Sequence, residues 1–156
     1  MYVVECEPDA VLVKCLAATS KKDIIHAGNK PELLKKLVER YTYSKGMIDE
    51  DPWSYQPPLL SRFKEKQSTR EFEIKIFNQR SRNNVLIMLC PRLEEWILKA
   101  AKEANVKPED FSLPNDPEEL HRIINIRTDN FEKFIKNIKD KSDRLKMLAQ
   151  HLRSIF

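Results

Sequence analysis

Residues 46–54, GMIDEDPWS, place three acids, Asp49, Glu50 and Asp51, at the end of a short apolar run and close them with Pro52. Adjacent carboxylates repel one another, so the segment is either a solvated turn or the rim of a site that holds a cation. On an extended chain Asp49 and Asp51 project to the same side, roughly 6–7 Å apart, while Glu50 points elsewhere. Two carboxylates at that spacing can share one hard cation or its water shell. Glu5 ends an earlier apolar run, and Asp9 follows one helical turn later. Oxygen ligands of this kind favour Mg²⁺, Mn²⁺ or Ca²⁺ over zinc.

The elements that must position these acids alternate. MYVVEC reads as a strand, PDAVLVKCLAA as a buried helix with Pro8 and Asp9 at its start, and DIIHAG as a second strand ending at Gly28. NKPELLKKLVERY carries an apolar stripe of Leu33, Leu34, Leu37, Val38 and Tyr41, as an amphipathic helix should, and KGMID reads as a third strand. The order β-α-β-α-β predicts a mainly parallel sheet, in which ligands bind outside the carboxyl ends of the strands. Glu5 and Asp49 fall at two such ends.

Further on, residues 52–70 hold Pro52, Pro57 and Pro58 and a basic stretch expected to be helical. REFEIKIF alternates like a strand with one covered face, NVLIMLC reads as a central strand, and PRLEEWILKAAKEA as a helix. At about 100° per residue Glu94 falls inside that helix's apolar arc and Glu95 outside it. A buried acid needs a partner: a metal is one answer, an arginine or backbone group another. Asp116-Pro117-Glu118-Glu119 has the form of a helix start, and residues 117–155 read as two or three amphipathic helices.

VVECEPDAVLVKCL resembles the first motif of TOPRIM domains, an apolar strand ending in Glu with an Asp four residues on. GMIDEDP resembles their second motif, a strand ending in Asp-x-Asp, and IIHAGNKPELLKKL matches the strand, glycine and helix between them. RLEEWIL fits the small stand-alone or OLD-nuclease-like branch, where a helix carries an acid two residues before a Trp, here Glu94. The resemblance covers about residues 1–105. Cys6 and Glu7 stand where the first motif usually has Gly and often a basic residue.

The resemblance implies an α/β fold with a TOPRIM-like (Rossmannoid) sheet flanked by helices over residues 1–105, and residues 106–156 as a helical extension packed on the same domain. It further implies a Mg²⁺- or Mn²⁺-dependent nuclease. Glu5, Asp49 and Asp51 would hold the metal, and Asp9 and Glu94 would complete a second metal site or orient the attacking water. The alternatives are a non-catalytic module that binds metal or nucleic acid, which Cys6 favours, and a protein-interaction subunit whose acids are plain turns.

Charge bears on the partner. The chain of 156 residues has a net charge of +4, with seven Lys/Arg against three Glu from Arg62 to Arg82 and nine against four acids from His121 onward. Basic flanks around an acidic centre suit a polyanion, though lysine-rich helix faces also serve solubility. Lys30, at a helix start, is either a phosphate contact or a solvated lysine. Arg80, Arg82 and Arg92 are candidate phosphate contacts, and His26 is either a proton shuttle or a strand-end residue. Trp53 and Tyr55 either stack on a base or anchor a proline-rich loop to the core. The apolar runs are too short to span a bilayer, and three cysteines without metal-ligand spacing suit reduced thiols. The expectation is a cytoplasmic protein that binds nucleic acid and no membrane, with a protein partner or self-association left open.

Overall fold

The computed structural model describes residues 1–155. Six strands, β1 (Tyr2–Val4), β2 (Ile24–His26), β3 (Lys45–Asp49), β4 (Lys64–Thr69), β5 (Ile74–Gln79) and β6 (Asn84–Leu89), form one sheet in the order β2-β1-β3-β6-β5-β4. Among the described residues six α-helices accompany them: α1 (Glu7–Ala17), α2 (Lys30–Lys35), α3 (Leu93–Glu103), α4 (Pro117–Ile124), α5 (Thr128–Ile138) and α6 (Asp143–Arg153). The fold is α/β.

The sheet is mixed, where a mainly parallel one was expected: three of its five strand pairings are parallel and two antiparallel. β2, β1, β3 and β6 pair in parallel, whereas β5 runs antiparallel to both β6 and β4. Only residues 80–83 link β5 to β6, too few for the crossover that a parallel pair requires. The basic stretch expected to be helical is a 3₁₀ turn, Pro58–Arg62, followed by edge strand β4. REFEIKIF begins as a 3₁₀ turn, Arg70–Phe72, and becomes strand only at Ile74. The second helix keeps α geometry to Lys35 and continues as a π-helical turn, Lys36–Arg40.

Strand alternation sorts the sheet's side chains into two cores. Val4, Met47, Ile87 and Leu89 face α1 and the helices α3 to α6, where Trp96, Phe131, Phe134 and Leu148 are buried. Val3, Ile48, Leu86 and Met88 face α2, with Leu33, Leu34, Leu37 and Phe63. Residues beyond 105 therefore share the larger core with α1 and the sheet. The two glycines serve the smaller side. Gly28 turns the chain after β2 with φ +88, and a Cβ at Gly46 would lie 2.6 Å from Leu37 Cδ1, so its absence lets α2 pack close on β3. Among the described residues no helix is long and apolar enough to cross a membrane.

Candidate functional site

β1, β3 and β6 run in parallel and end together, and Glu5, Asp49 and the start of α3 lie at that carboxyl rim. Asp49 is the last residue of β3. Strand parity puts it on the same face as Met47, toward α1 and α3. Its Oδ1 accepts the backbone N–H of Leu93 at 2.9 Å, so Asp49 supplies the acceptor that the N-terminus of α3 lacks from its own N-cap, Arg92. Asp9 lies in the first turn of α1, buried, and its Oδ2 accepts the N–H of Cys6 at 3.2 Å and the thiol of Cys6 at 3.3 Å. It has the reciprocal half of a capping box, with a thiol in place of the usual hydroxyl.

Glu94 is 5% exposed, and its Oε1 lies 2.8 Å from His121 Nδ1 of α4. Glu95 turns outward to Arg92, whose guanidinium also meets Glu118 at 2.7 Å. The helical arc thus distinguished the two acids as the structure does. The partner of Glu94 is neither of the protein groups anticipated but a histidine 27 residues on, and no local pattern in the sequence announces it.

Asp51 departs from the expected geometry. β3 ends at Asp49, and Asp51 has a left-handed backbone with φ 46. The extended chain on which Asp49 and Asp51 would share a side therefore does not reach Asp51. Its Oδ2 pairs with Lys30 Nζ at 3.2 Å, and the same ammonium donates to Glu50 O at 3.3 Å. Lys30 is a buried counter-ion inside the rim, not a solvated lysine. Glu50 pairs with Lys75 on β5.

Burial and mutual repulsion act together on these acids. Burial, then the charges of Asp9, Glu94, Asp51 and Glu5, push the Asp49 carboxyl up to about 9. Glu5 rises to about 7, first through burial and then through Asp9, with Lys30 opposing. Asp9 rises to about 6 through burial, although the hydrogen bonds from Cys6 hold it down. Glu5, Asp9, Asp49, Asp51 and Glu94 thus form one electrostatically coupled set drawn from β1, α1, the end of β3 and α3.

The donor chemistry of this set suits a hard divalent cation. The placement is not a ready ligand shell: among the described residues no group of three or more His, Cys, Asp or Glu side chains is arranged to hold a metal ion. Asp9, Asp49, Asp51 and Glu94 each commit an oxygen to a protein partner. A cation would have to draw side chains away from those partners.

The remaining candidates scatter. Arg80 and Arg82 lie in the β5–β6 turn, at the opposite end of the sheet and roughly 17 Å along β6 from the rim. Arg92 is at the rim but is occupied by two glutamates. His26 is exposed, with Nε2 3.5 Å from Glu7. Trp53 and Tyr55 are 77% and 84% exposed, so they do not anchor their loop. That task falls to Gln56, whose Nε2 donates to Glu50 O, Asp51 O and Ser54 O. Comparison of the chain with protein-family models, curated proteins and solved structures finds no match.

Proposed function

We propose that the acid rim binds Mg²⁺ or Mn²⁺ and that the protein hydrolyses nucleic-acid phosphodiesters as a small TOPRIM-like nuclease. The observation that supports this reading is the gathering of Glu5, Asp9, Asp49, Asp51 and Glu94 at the strand ends and the starts of α1 and α3, where burial first and then the neighbouring charges push the Asp49 carboxyl up. A chain that builds such repulsion into a buried rim pays for it in stability, and a divalent cation is the counter-charge that offsets it. Glu5, Asp49 and Asp51 would hold the ion. A bound ion of this type polarises a phosphoryl oxygen and makes its water a stronger nucleophile.

The protein's own groups have distinct parts in this scheme. Asp49 is fixed by α3, so its carboxylate is held in place by the helix N-terminus. Glu94, steadied by His121, orients the attacking water. Lys30, hydrogen-bonded to Asp51, would be free to take a phosphate oxygen if Asp51 turned to the ion. Trp53 and Tyr55, exposed within four residues of Asp51, offer faces on which unpaired bases can stack.

A second reading is a non-catalytic module that binds metal or nucleic acid. It is favoured by the Lys30–Asp51 pair, which already supplies one positive charge, and by the Cys6 side chain, which engages Asp9 where the TOPRIM motif has glycine. Cleavage separates the two. End-labelled single-stranded and duplex oligonucleotides are incubated with Mg²⁺, Mn²⁺ or EDTA, using wild type, Asp49→Asn and Glu94→Gln. Metal-dependent cleavage lost in both variants supports the nuclease. Metal binding without cleavage leaves the module.

A further inference from the structure

The end of the sheet opposite the acid rim carries cations that no carboxylate meets among the described residues. An open cavity of about 550 Å³ lies there, lined by Arg62, Lys64, Asn78, Arg80, Ser81 and Val38. Arg62, Lys64 and Arg80 have no ion-pair or side-chain hydrogen-bond partner among the described residues. Cations elsewhere in the fold are commonly matched, as with Lys14 to Glu132, Lys75 to Glu50, Lys99 to Glu73 and Arg144 to Glu103.

The pairing of β4 with β5 explains the concentration of charge. Lys64 stands directly across from Asn78, so their side chains share one face. Glu65 is the nearest acid in sequence, but strand alternation sends it to the other face, where it acts on Lys75. The cavity lining therefore contains three positive charges and no acid. It also contains an unpartnered polar group: Asn78 Oδ1 is buried without a hydrogen bond. A phosphate cannot satisfy that acceptor, so the Asn78 amide would serve a bound anion only through its N–H₂.

We propose that this cavity binds a phosphate group, with Arg62, Lys64 and Arg80 supplying charge and the Asn78 amide and Ser81 hydroxyl supplying neutral donors. Planar guanidinium groups match the tetrahedral oxygens in pairs, and the lysine adds a point charge. The ligand is a phosphate carried either by a small compound or by a nucleic-acid backbone. The inference does not depend on the nuclease reading, because none of the rim residues lines this cavity.

The test uses the full chain, ¹⁵N-labelled and titrated with inorganic phosphate at constant ionic strength. Saturable shifts are expected at the Asn78 side-chain amide and at the Arg80 and Ser81 backbone amides. Arg80→Glu should weaken binding roughly ten-fold or more, while Asp49→Asn leaves it unchanged. Arg80 is on an exposed turn, so the variant keeps its fold, and the unchanged resonances of β1 and β3 verify this. A second arm uses oligothymidylate. Tighter binding per phosphate than the inorganic ion, at the same resonances, assigns the site to a nucleic-acid backbone; equal affinity per phosphate assigns it to small phosphate compounds. Shifts that grow linearly without saturating, that chloride reproduces, or that survive Arg80→Glu overturn the proposal.

Discussion

Lys45 and Asp49 are the first and last residues of β3, and strand parity turns both toward the larger core. Lys45 is 3% exposed, and its ammonium donates to the carbonyls of His151, Leu152 and Ser154 and to the Ser154 hydroxyl. These are the last carbonyls of α6, the negative end of a helix, so the buried cation is met by acceptors and by the dipole. Nearby, the Asn84 amide donates to Leu37 O, Tyr41 O and Gln79 Oε1 and accepts from Ser44 N. At the other end of the strand Asp49 has one backbone donor and four acids acting on it. One end of β3 meets its buried charge with acceptors from the protein, while burial pushes the Lys45 ammonium down to about 8. The other leaves its charge unresolved, and that asymmetry locates the candidate site more sharply than exposure does.

Breaking the resolved end should have the largest effect. Lys45→Met takes the ammonium from three carbonyls at the end of α6, two of which keep a hydroxyl donor from Tyr2 or Ser154, and should cost about 2–4 kcal/mol, lowering the melting temperature by roughly 5–15 °C. The response to added metal should remain, because the substitution leaves the rim intact.

A pH series addresses the unresolved end. Asp49, Glu5 and Asp9 have folded values of about 9, 7 and 6, all above their ordinary carboxylate values. Through these three groups the folded chain holds more protons than the unfolded chain from about pH 4 up toward pH 9, and their contribution to stability falls as pH rises through that window. In EDTA the protein should melt roughly 5–10 °C higher at pH 5 than at pH 8, with the steepest loss at about pH 5–6, where all three groups are protonated only in the folded chain, and the loss levelling off as Asp49 ionises. Asp49→Asn keeps an acceptor for Leu93 N–H and should flatten most of that slope.

Smaller effects follow. His121→Ala removes the partner of a buried carboxylate and should cost about 1 kcal/mol in EDTA. The cost should shrink in Mn²⁺ if the ion takes over that partnership. Arg82→Ala, on a surface turn, should change stability by no more than about 0.5 kcal/mol and leave the metal response as it was. A clear loss of metal response in that variant would contradict the separation of the two ends.

Local pattern made some elements readable and tertiary pairing hid others. KGMID coincides with β3, the Asp116 cap accepts Glu119 N–H, and the wheel of α3 placed Glu94 inside and Glu95 outside. Each depends on residues within a turn or two of one another. The sequence of β4 suggests no strand because KEKQST has no covered face, hence no apolar alternation; only its pairing with β5 makes it one. The short link between β5 and β6 was legible in principle and would have shown the sheet to be mixed. The shared side of Asp49 and Asp51 failed because a left-handed residue at Asp51, not the strand, decides where that carboxylate turns. His121 and Lys45 act across more than 25 and 100 residues respectively, beyond the reach of any local motif.

The central claim is that the charge left over at the rim is a cation site. Thermal melts at pH 8 of wild type and Asp49→Asn, each in EDTA and over a range of Mn²⁺ concentrations, test it most directly. The account predicts a saturable rise in the wild type, reaching roughly 5–10 °C at about a hundred times the dissociation constant, and little or no rise in Asp49→Asn. Equal melting temperatures of the wild type with and without Mn²⁺ would contradict it.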